Sequence, residues 1–215
     1  SGFITYLRTD SVRISEEALG PARAYLENKG FPIPKKPNKY EDKGNVQAGH
    51  ECLRPTNLEN SPDSKMLSGD DQIVYRTIFE HFLASQMTPA VYSTMQIRLV
   101  GMKNNKLVFK TSGKALKSPG YLAIFGEKEI GTIDLPLLEK SEPLRLNVKS
   151  IKPEQKFTQP PSRYNQATIL DELEAKGIGR PATYASIIKT ITARNYVELQ
   201  GSTFRPTTVG RDVTE

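Results

Sequence analysis

The chain has 215 residues, 37% of them hydrophobic, and a mean hydropathy of −0.49, which suits one large domain or two to three small ones with shallow cores. No apolar run approaches the ~18 residues that span a bilayer, no basic-then-apolar signal segment is seen, and the single cysteine, Cys52, excludes an internal disulfide and a Cys-based zinc ribbon; a cytoplasmic setting is the expectation. The net charge of +6 is uneven: residues 1–90 carry 11 Lys/Arg against 12 Asp/Glu, residues 91–215 carry 19 against 12, so the later part is the stronger footprint for a polyanion.

The first residues carry chemistry. In Ile4-Thr5-Tyr6-Leu7-Arg8-Thr9-Asp10-Ser11 a phenol lies two residues before a guanidinium and four before a carboxylate. A Tyr hydroxyl is a poor nucleophile at neutral pH, and a guanidinium held close lowers its pKa and grips a phosphate through two bonds. In an extended strand, Tyr6, Arg8 and Asp10 point to one face. On that geometry Tyr6 attacks a phosphodiester and becomes phosphotyrosine-linked. Spacing alone also allows a strand aromatic beside a surface Arg8/Asp10 ion pair.

Ser15-Glu16-Glu17 predicts a helix start, with Ser15 as N-cap and two acids at the positive dipole end. Ala18, Leu19, Ala22, Tyr25 and Leu26 follow at helical spacing, Gly20-Pro21 predicts a kink or a late start, and Gly30 ends the helix. Pro32, Pro34 and Pro37 read as a surface loop. Gly49-His50-Glu51-Cys52-Leu53-Arg54-Pro55-Thr56 is the second cluster. On one helical turn His50 and Arg54 share a face, and both donate to phosphate oxygens; a capped loop with a solvated Arg is the alternative. A further helix runs from Asp70-Asp71 to about Met87, with Ile73, Val74, Thr77, Ile78, Phe82 and Leu83 as its apolar stripe and His81 on its surface or in packing. Thr88-Pro89 ends it.

From Ala90 the period changes to two. Val91–Gly101, Leu107–Gly113, Tyr121–Phe125 and Leu144–Ile151 read as antiparallel strands, with Asn104-Asn105 as a turn. Lys103, Lys106, Lys110, Lys114 and Lys117 read as a solvated face, with DNA contact the alternative. After the stiff entry Phe157–Tyr164, Ala167–Lys176 is a helix with Ile169, Leu170 and Leu173 inward; Gly177-Ile178-Gly179-Arg180 is a tight turn; Pro181–Arg194 is a second helix with Tyr184, Ile187, Ile188 and Ile191 inward. Tyr196–Leu199 and Thr203–Pro206 form a short hairpin. Helix, turn, helix, hairpin outlines a winged helix-turn-helix. Its turn places helix N–H groups, Arg180 and the Thr183 hydroxyl as phosphate donors; a purely structural corner is the alternative. The whole is an α+β multidomain chain: residues 1–89 mainly helical and tyrosine-bearing, 90–160 an antiparallel β segment, 161–215 a winged-helix-like module.

Three stretches resemble the type IA DNA topoisomerases. Gly2–Ser11 resembles their active-site tyrosine motif. His50–Pro55 resembles their His-Glu-Ala-Ile-Arg-Pro element, with Cys52 and Leu53 in place of Ala and Ile. Ala167–Val197 resembles their Glu-Leu-Glu, Gly-Ile-Gly-Arg-Pro, Thr-Tyr-Ala segment, with Ala182 where Ser is frequent and Gln166 where Glu is frequent. The motifs occur in the family's order, and the resemblance covers essentially the whole chain, closer to bacterial topoisomerase I than to topoisomerase III.

The resemblance implies a mechanism. Tyr6 attacks a phosphodiester of single-stranded DNA, forms a 5′-phosphotyrosine link and leaves a 3′-hydroxyl that reseals the strand after another has passed, without ATP. Arg8 holds the scissile phosphate, Asp10 orients Arg8, His50 and Arg54 bind phosphates near the cut, and Arg180 and Thr183 anchor the bound strand. In this family magnesium and a general-acid Glu belong to an acidic N-terminal TOPRIM domain, whose Asp-x-Asp-x-Glu pattern this sequence does not contain. The expectation is a central piece comprising most of the tyrosine domain, part of a β-rich arch and the start of a DNA-binding base, with magnesium ligands and the TOPRIM partner outside it, binding single-stranded or underwound DNA but cleaving poorly alone. A non-catalytic winged-helix DNA-binding protein and the topoisomerase half of a reverse gyrase are the alternatives.

Overall fold

A computed structural model of the chain describes residues 2–6, 11–41, 51–64, 66–101, 103–104, 106–126 and 152–214. The predicted strand 144–151 lies outside the described residues. The chain divides into two compact units, Ser1–Glu142 and Pro143–Glu215, and mixes helices with two small antiparallel sheets, which is an α+β composition.

The first unit is built on two helices, α1 (Glu16–Asn28) and α2 (Gly69–Ser85). Helix α1 starts at Glu16 behind Ser15 and runs through Pro21, so neither a late start nor an interruption occurs. Pro21 removes one backbone donor, but Ala18, Leu19, Ala22 and Leu26 bury a continuous face that outweighs it. A two-bond αL cap closes the helix: Gly30, at φ +74°, donates to Glu27 O at 3.0 Å and Phe31 to Leu26 O at 2.9 Å.

Helix α2 presents a different stripe from the predicted one. Phe82 and Leu83 are buried as expected, but they are joined by Tyr75 and Phe79, while Ile73 and Val74 are 64% and 56% exposed. Aromatic rings bury more area than β-branched aliphatics and choose the face. Tyr75 and Phe79 lie 5.9 Å apart, with Phe3 edge-on to Tyr75 and Tyr25 edge-on to Phe79, both at 5.6 Å. The loop after Pro37 seals the end of α2. Asn38 donates its amide to Ser85 O and Met87 O, and the Tyr40 hydroxyl donates to Ser85 O at 2.8 Å. His81 is exposed, with Nδ1 2.8 Å from Thr77 O and its ring edge on Phe125, a packing role as expected.

Strands β1 (Val91–Val100) and β2 (Val108–Ser118) pair antiparallel from Val100↔Val108 to Val91↔Ser118, with one irregularity at Val91/Tyr92. Strand β2 does not stop at Gly113, because its ladder with β1 continues to Ser118. The predicted strand Tyr121–Phe125 is instead part of a 3₁₀ helix, Gly120–Phe125. Gly120, at φ +50°, lies so close to the Thr88 and Pro89 carbonyls that a Cβ would collide with them. That approach lets Tyr121 N donate to Thr88 O at 2.8 Å and turns the chain back onto α2.

The second unit contains α3 (Gln166–Ala175), α4 (Pro181–Ala193), β3 (Val197–Gln200), β4 (Thr203–Pro206) and a short α5 (Thr208–Asp212) that the sequence reading did not anticipate. Helix, helix, hairpin follows the predicted winged-helix outline. The inward residues of α3 and α4 are only half-buried, and among the described residues of this unit Phe204 is the buried large apolar side chain. Asn165 starts α3 with a reciprocal cap: its Oδ1 accepts from Ala167 N and Thr168 N at 2.9 and 2.8 Å, and its own N donates to Thr168 Oγ1 at 2.9 Å. Asn165→Ala is expected to destabilise this shallow unit by about 1 kcal/mol, read by denaturant unfolding of the second unit.

Candidate active site around Tyr6

Tyr6 follows a segment tied to the second sequence cluster. Ile4 and Pro55 form an antiparallel bridge. Thr5 N donates to Arg54 O at 2.9 Å, Arg54 N donates to Thr5 Oγ1 at 3.0 Å, and the Thr5 hydroxyl donates to Cys52 O at 3.0 Å. Thr56 N donates to Phe3 O at 3.0 Å and the Thr56 hydroxyl to Gly2 O at 2.6 Å. Two motifs some fifty residues apart are thereby held side by side. Beyond this ladder Tyr6 projects with 82% exposure. Its ring contrasts with Tyr75, whose phenol is buried, donates to Asn60 O at 2.8 Å and is pushed up by desolvation.

Arg54 is engaged. Its Nε and Nη2 donate to the two Glu51 carboxylate oxygens at 2.9 and 3.0 Å, Nη1 donates to Pro55 O at 3.0 Å, and Nη2 reaches Ser15 Oγ at 3.5 Å. The side chain is 16% exposed. In this arrangement its fork is spent on Glu51, not presented to a phosphate as the sequence suggested. Residues 51–54 form no helical turn, because the ladder to residues 3–5 takes their backbone groups. Arg8, Asp10 and His50 lie outside the described residues.

The sequence does not single out Thr5 or Glu51, and it marks Ser15 only as the N-cap of α1, where its side chain makes no capping bond and meets Arg54 and Glu51 instead. Glu51 and Arg54 stand three apart, a spacing that signals an ion pair; nothing local signals Thr5, or the contact of Ser15 with that pair. Burial alone would raise the Glu51 carboxyl, but hydrogen bonds from Arg54 and Ser15 and the Arg54 charge hold it below its ordinary value. A depressed carboxylate stabilises the fold above its unfolded pKa and loses that contribution as pH falls through the lower folded value. Glu51→Gln is therefore expected to cost about 1–2 kcal/mol at pH 7. Urea unfolding of both proteins should show the difference shrinking below about pH 4.

In the second unit, Arg180 and Thr183 are brought together but bonded to each other. Arg180 N donates to Thr183 Oγ1 at 2.8 Å, and the Thr183 hydroxyl and N–H both donate to Arg180 O. The Arg180 guanidinium folds back through Nη1 onto Gly179 O at 2.6 Å, leaving Nε and Nη2 without partners among the described residues. Pro181 has no N–H, so Ala182 supplies the open donor of the first turn of α4. Gly179, at φ +76°, leaves room that a Cβ would take from Ile187 Cδ1 and Thr183 Oγ1.

A DNA topoisomerase family model matches residues 1–215. The chain belongs to the DNA topoisomerase family. It is 40% identical over 230 residues to DNA topoisomerase 1 of Xylella fastidiosa and 38% identical over 218 residues to that of Escherichia coli K12. In both cases all of this chain is matched, to 27% and 25% of the relative. The structure of full-length topoisomerase I from Thermotoga maritima matches with a TM-score of 0.76 and 32% identity, over 97% of this chain and 33% of that one. The chain thus spans a quarter to a third of the length of these relatives. The type IA resemblance carried by the three motifs is borne out.

Proposed function

We propose that this DNA topoisomerase chain carries the nucleophile of a type IA reaction. Tyr6 attacks a DNA phosphodiester: the Tyr6 Oη–P bond forms, the P–O3′ bond breaks, the phenolic proton leaves to a base, and the 3′-oxygen takes a proton to become a free hydroxyl. The hydroxyl reverses the step after strand passage, relaxing supercoils in the intact enzyme. The observation that carries this reading is the exposed Tyr6 at the end of a ladder that pins Phe3–Thr5 to Cys52–Thr56. A rigid support with a free phenol suits a group that meets a large polymeric substrate.

Arg8 would hold the scissile phosphate with Asp10 orienting it, and His50 would bind a neighbouring phosphate. Arg54 acts through Glu51 as a positioning residue for the Tyr6 segment, and its fork would reach phosphate only after exchanging Glu51 for it. Arg180 and Thr183 would anchor the backbone of the bound strand after a similar exchange, for which the unpartnered Nε and Nη2 of Arg180 are available. Among the described residues no group of three His, Cys, Asp or Glu could hold a metal ion. Magnesium, whose charge would stabilise the phosphoryl oxygens, would be held by carboxylates of the TOPRIM partner.

The test is an end-labelled single-stranded oligonucleotide incubated with magnesium and this chain, with and without added acidic domain, then denatured. A protein–DNA adduct that depends on the added domain supports the reading. Binding with no adduct under either condition sinks it in favour of a non-catalytic winged-helix DNA-binding chain, the reading that the second unit's outline alone would favour.

A further inference from the structure

The β1–β2 hairpin sorts its side chains by face. The register places Tyr92, Thr94, Gln96 and Arg98 with Lys110, Ser112, Lys114 and Leu116 on one side, and Met95, Ile97 and Leu99 with Phe109 and Ala115 on the other. Residues 91–118 contain six cations (Arg98, Lys103, Lys106, Lys110, Lys114 and Lys117) and no Asp or Glu. None of the six pairs with a carboxylate among the described residues, and Arg98, Lys110 and Lys114 are all exposed.

Two features go against an ordinary solvated face. Arg98 and Lys110 are direct cross-strand partners, and like charges in that position destabilise a hairpin. Two-stranded sheets are marginal already, so a repulsive pair within the ladder, two rungs in from Val100↔Val108 at the loop end, is a cost without a return inside the fold. Lys114, on the same face, lies with its Nζ 3.5 Å above the Tyr92 ring, which holds the ammonium over the sheet. Lys110 and Lys114 stand about 14 Å apart along the strand, with Ser112 and Gln96 between them as neutral hydrogen-bonding groups.

We infer that this face is a second nucleic-acid track, which takes the sugar–phosphate backbone of a DNA segment other than the strand Tyr6 attacks. Phosphate charge relieves the Arg98/Lys110 repulsion, and the row of cations reads charge without sequence. Tyr92 lies half-buried beneath Lys114, so the face offers no ring on which a base could stack. The track therefore suits a duplex, with its denser charge, at least as well as a single strand. That the segment differs from the cleaved strand rests on the transesterification reading; the phosphate chemistry of the face does not.

The test is fluorescence anisotropy of the full chain with a labelled short duplex and with a thymidine oligomer of equal length, across a range of KCl concentrations. Arg98→Gln/Lys110→Gln/Lys114→Gln is expected to weaken duplex binding about tenfold or more at low salt and to lower the magnitude of the log–log salt slope by about 3. Arg98→Glu is the second variant. It turns the repulsive pair into an attractive one, so thermal stability should rise while duplex affinity falls, opposite responses that a folding defect cannot produce. Unchanged affinity and slope in the triple variant would overturn the inference, whatever Tyr6 does. Equally tight, equally variant-sensitive binding of a poly-glutamate peptide would also overturn it, in favour of an acidic protein partner. Loss of duplex binding in the triple variant, with no Tyr6 adduct under any condition, would support the track and sink the transesterification reading alone.

Discussion

Tyr6→Phe is expected to eliminate the covalent DNA adduct, by about 10⁴-fold or more, while leaving oligonucleotide binding within about twofold. The substitution removes one oxygen from a ring that is 82% exposed, so it leaves no cavity and no unpaired buried partner. The ladder that carries the residue uses the Thr5 and Arg54 backbones and the Thr5 hydroxyl, none of which the change touches. Binding and adduct formation should therefore separate cleanly in the denaturing-gel assay with the acidic domain added. Thr5→Val keeps the nucleophile but removes the hydroxyl that joins Cys52 O and Arg54 N. It should slow adduct formation while preserving it, distinguishing a positioning group from the reacting one. Adduct from Tyr6→Phe at wild-type levels would end the assignment.

Leu83→Ala is expected to destabilise the first unit by about 3–4 kcal/mol, measured by denaturant unfolding. Leu83 is fully buried in the cluster formed by Ala18, Ala22, Leu26, Tyr75, Phe79, Phe82 and Met87. Its loss leaves a cavity between aromatic rings already held edge to face, which cannot collapse far. Such a loss is a large share of the stability of a small domain. Val74→Ala, on the same helix but 56% exposed, should change stability by no more than about 0.5 kcal/mol. A reversed order would mean that α2 packs through the Ile73/Val74 side, the face read from the sequence. The consequence reaches Tyr6, because Phe3, three residues before it, lies edge-on to Tyr75.

Helix positions were legible where local signals agreed. Ser15 with two following acids marked the start of α1, Gly30 its end, and Pro181 the start of α4. The stripe of α2 was not legible, because it holds two overlapping apolar sets and periodicity does not rank them; the larger rings chose. Tyr121–Phe125 reads as a strand by composition, and only the close approach of Gly120 to Pro89 makes it 3₁₀. The candidate site divides in the same way. Tyr6 and Arg54 are visible as chemistry-bearing residues in motifs. That Glu51 takes the Arg54 fork, and that Arg180 and Thr183 bond to one another, depends on which partners lie within reach.

By itself the sequence determined the family, through three motifs in order, together with a candidate nucleophile in Tyr6 and the excess of cations after residue 90. Those properties are written in residue identity and spacing, which need no fold. The tertiary structure alone decided what stands beside what. It set Thr5 against Arg54 across some fifty residues, committed Arg54 to Glu51, and placed Arg98 opposite Lys110 on one face of a hairpin. The reason is physical: a hydrogen bond or a charge pair depends on separations of a few ångströms, and the chain brings such groups together only when burial and backbone pairing have fixed its path.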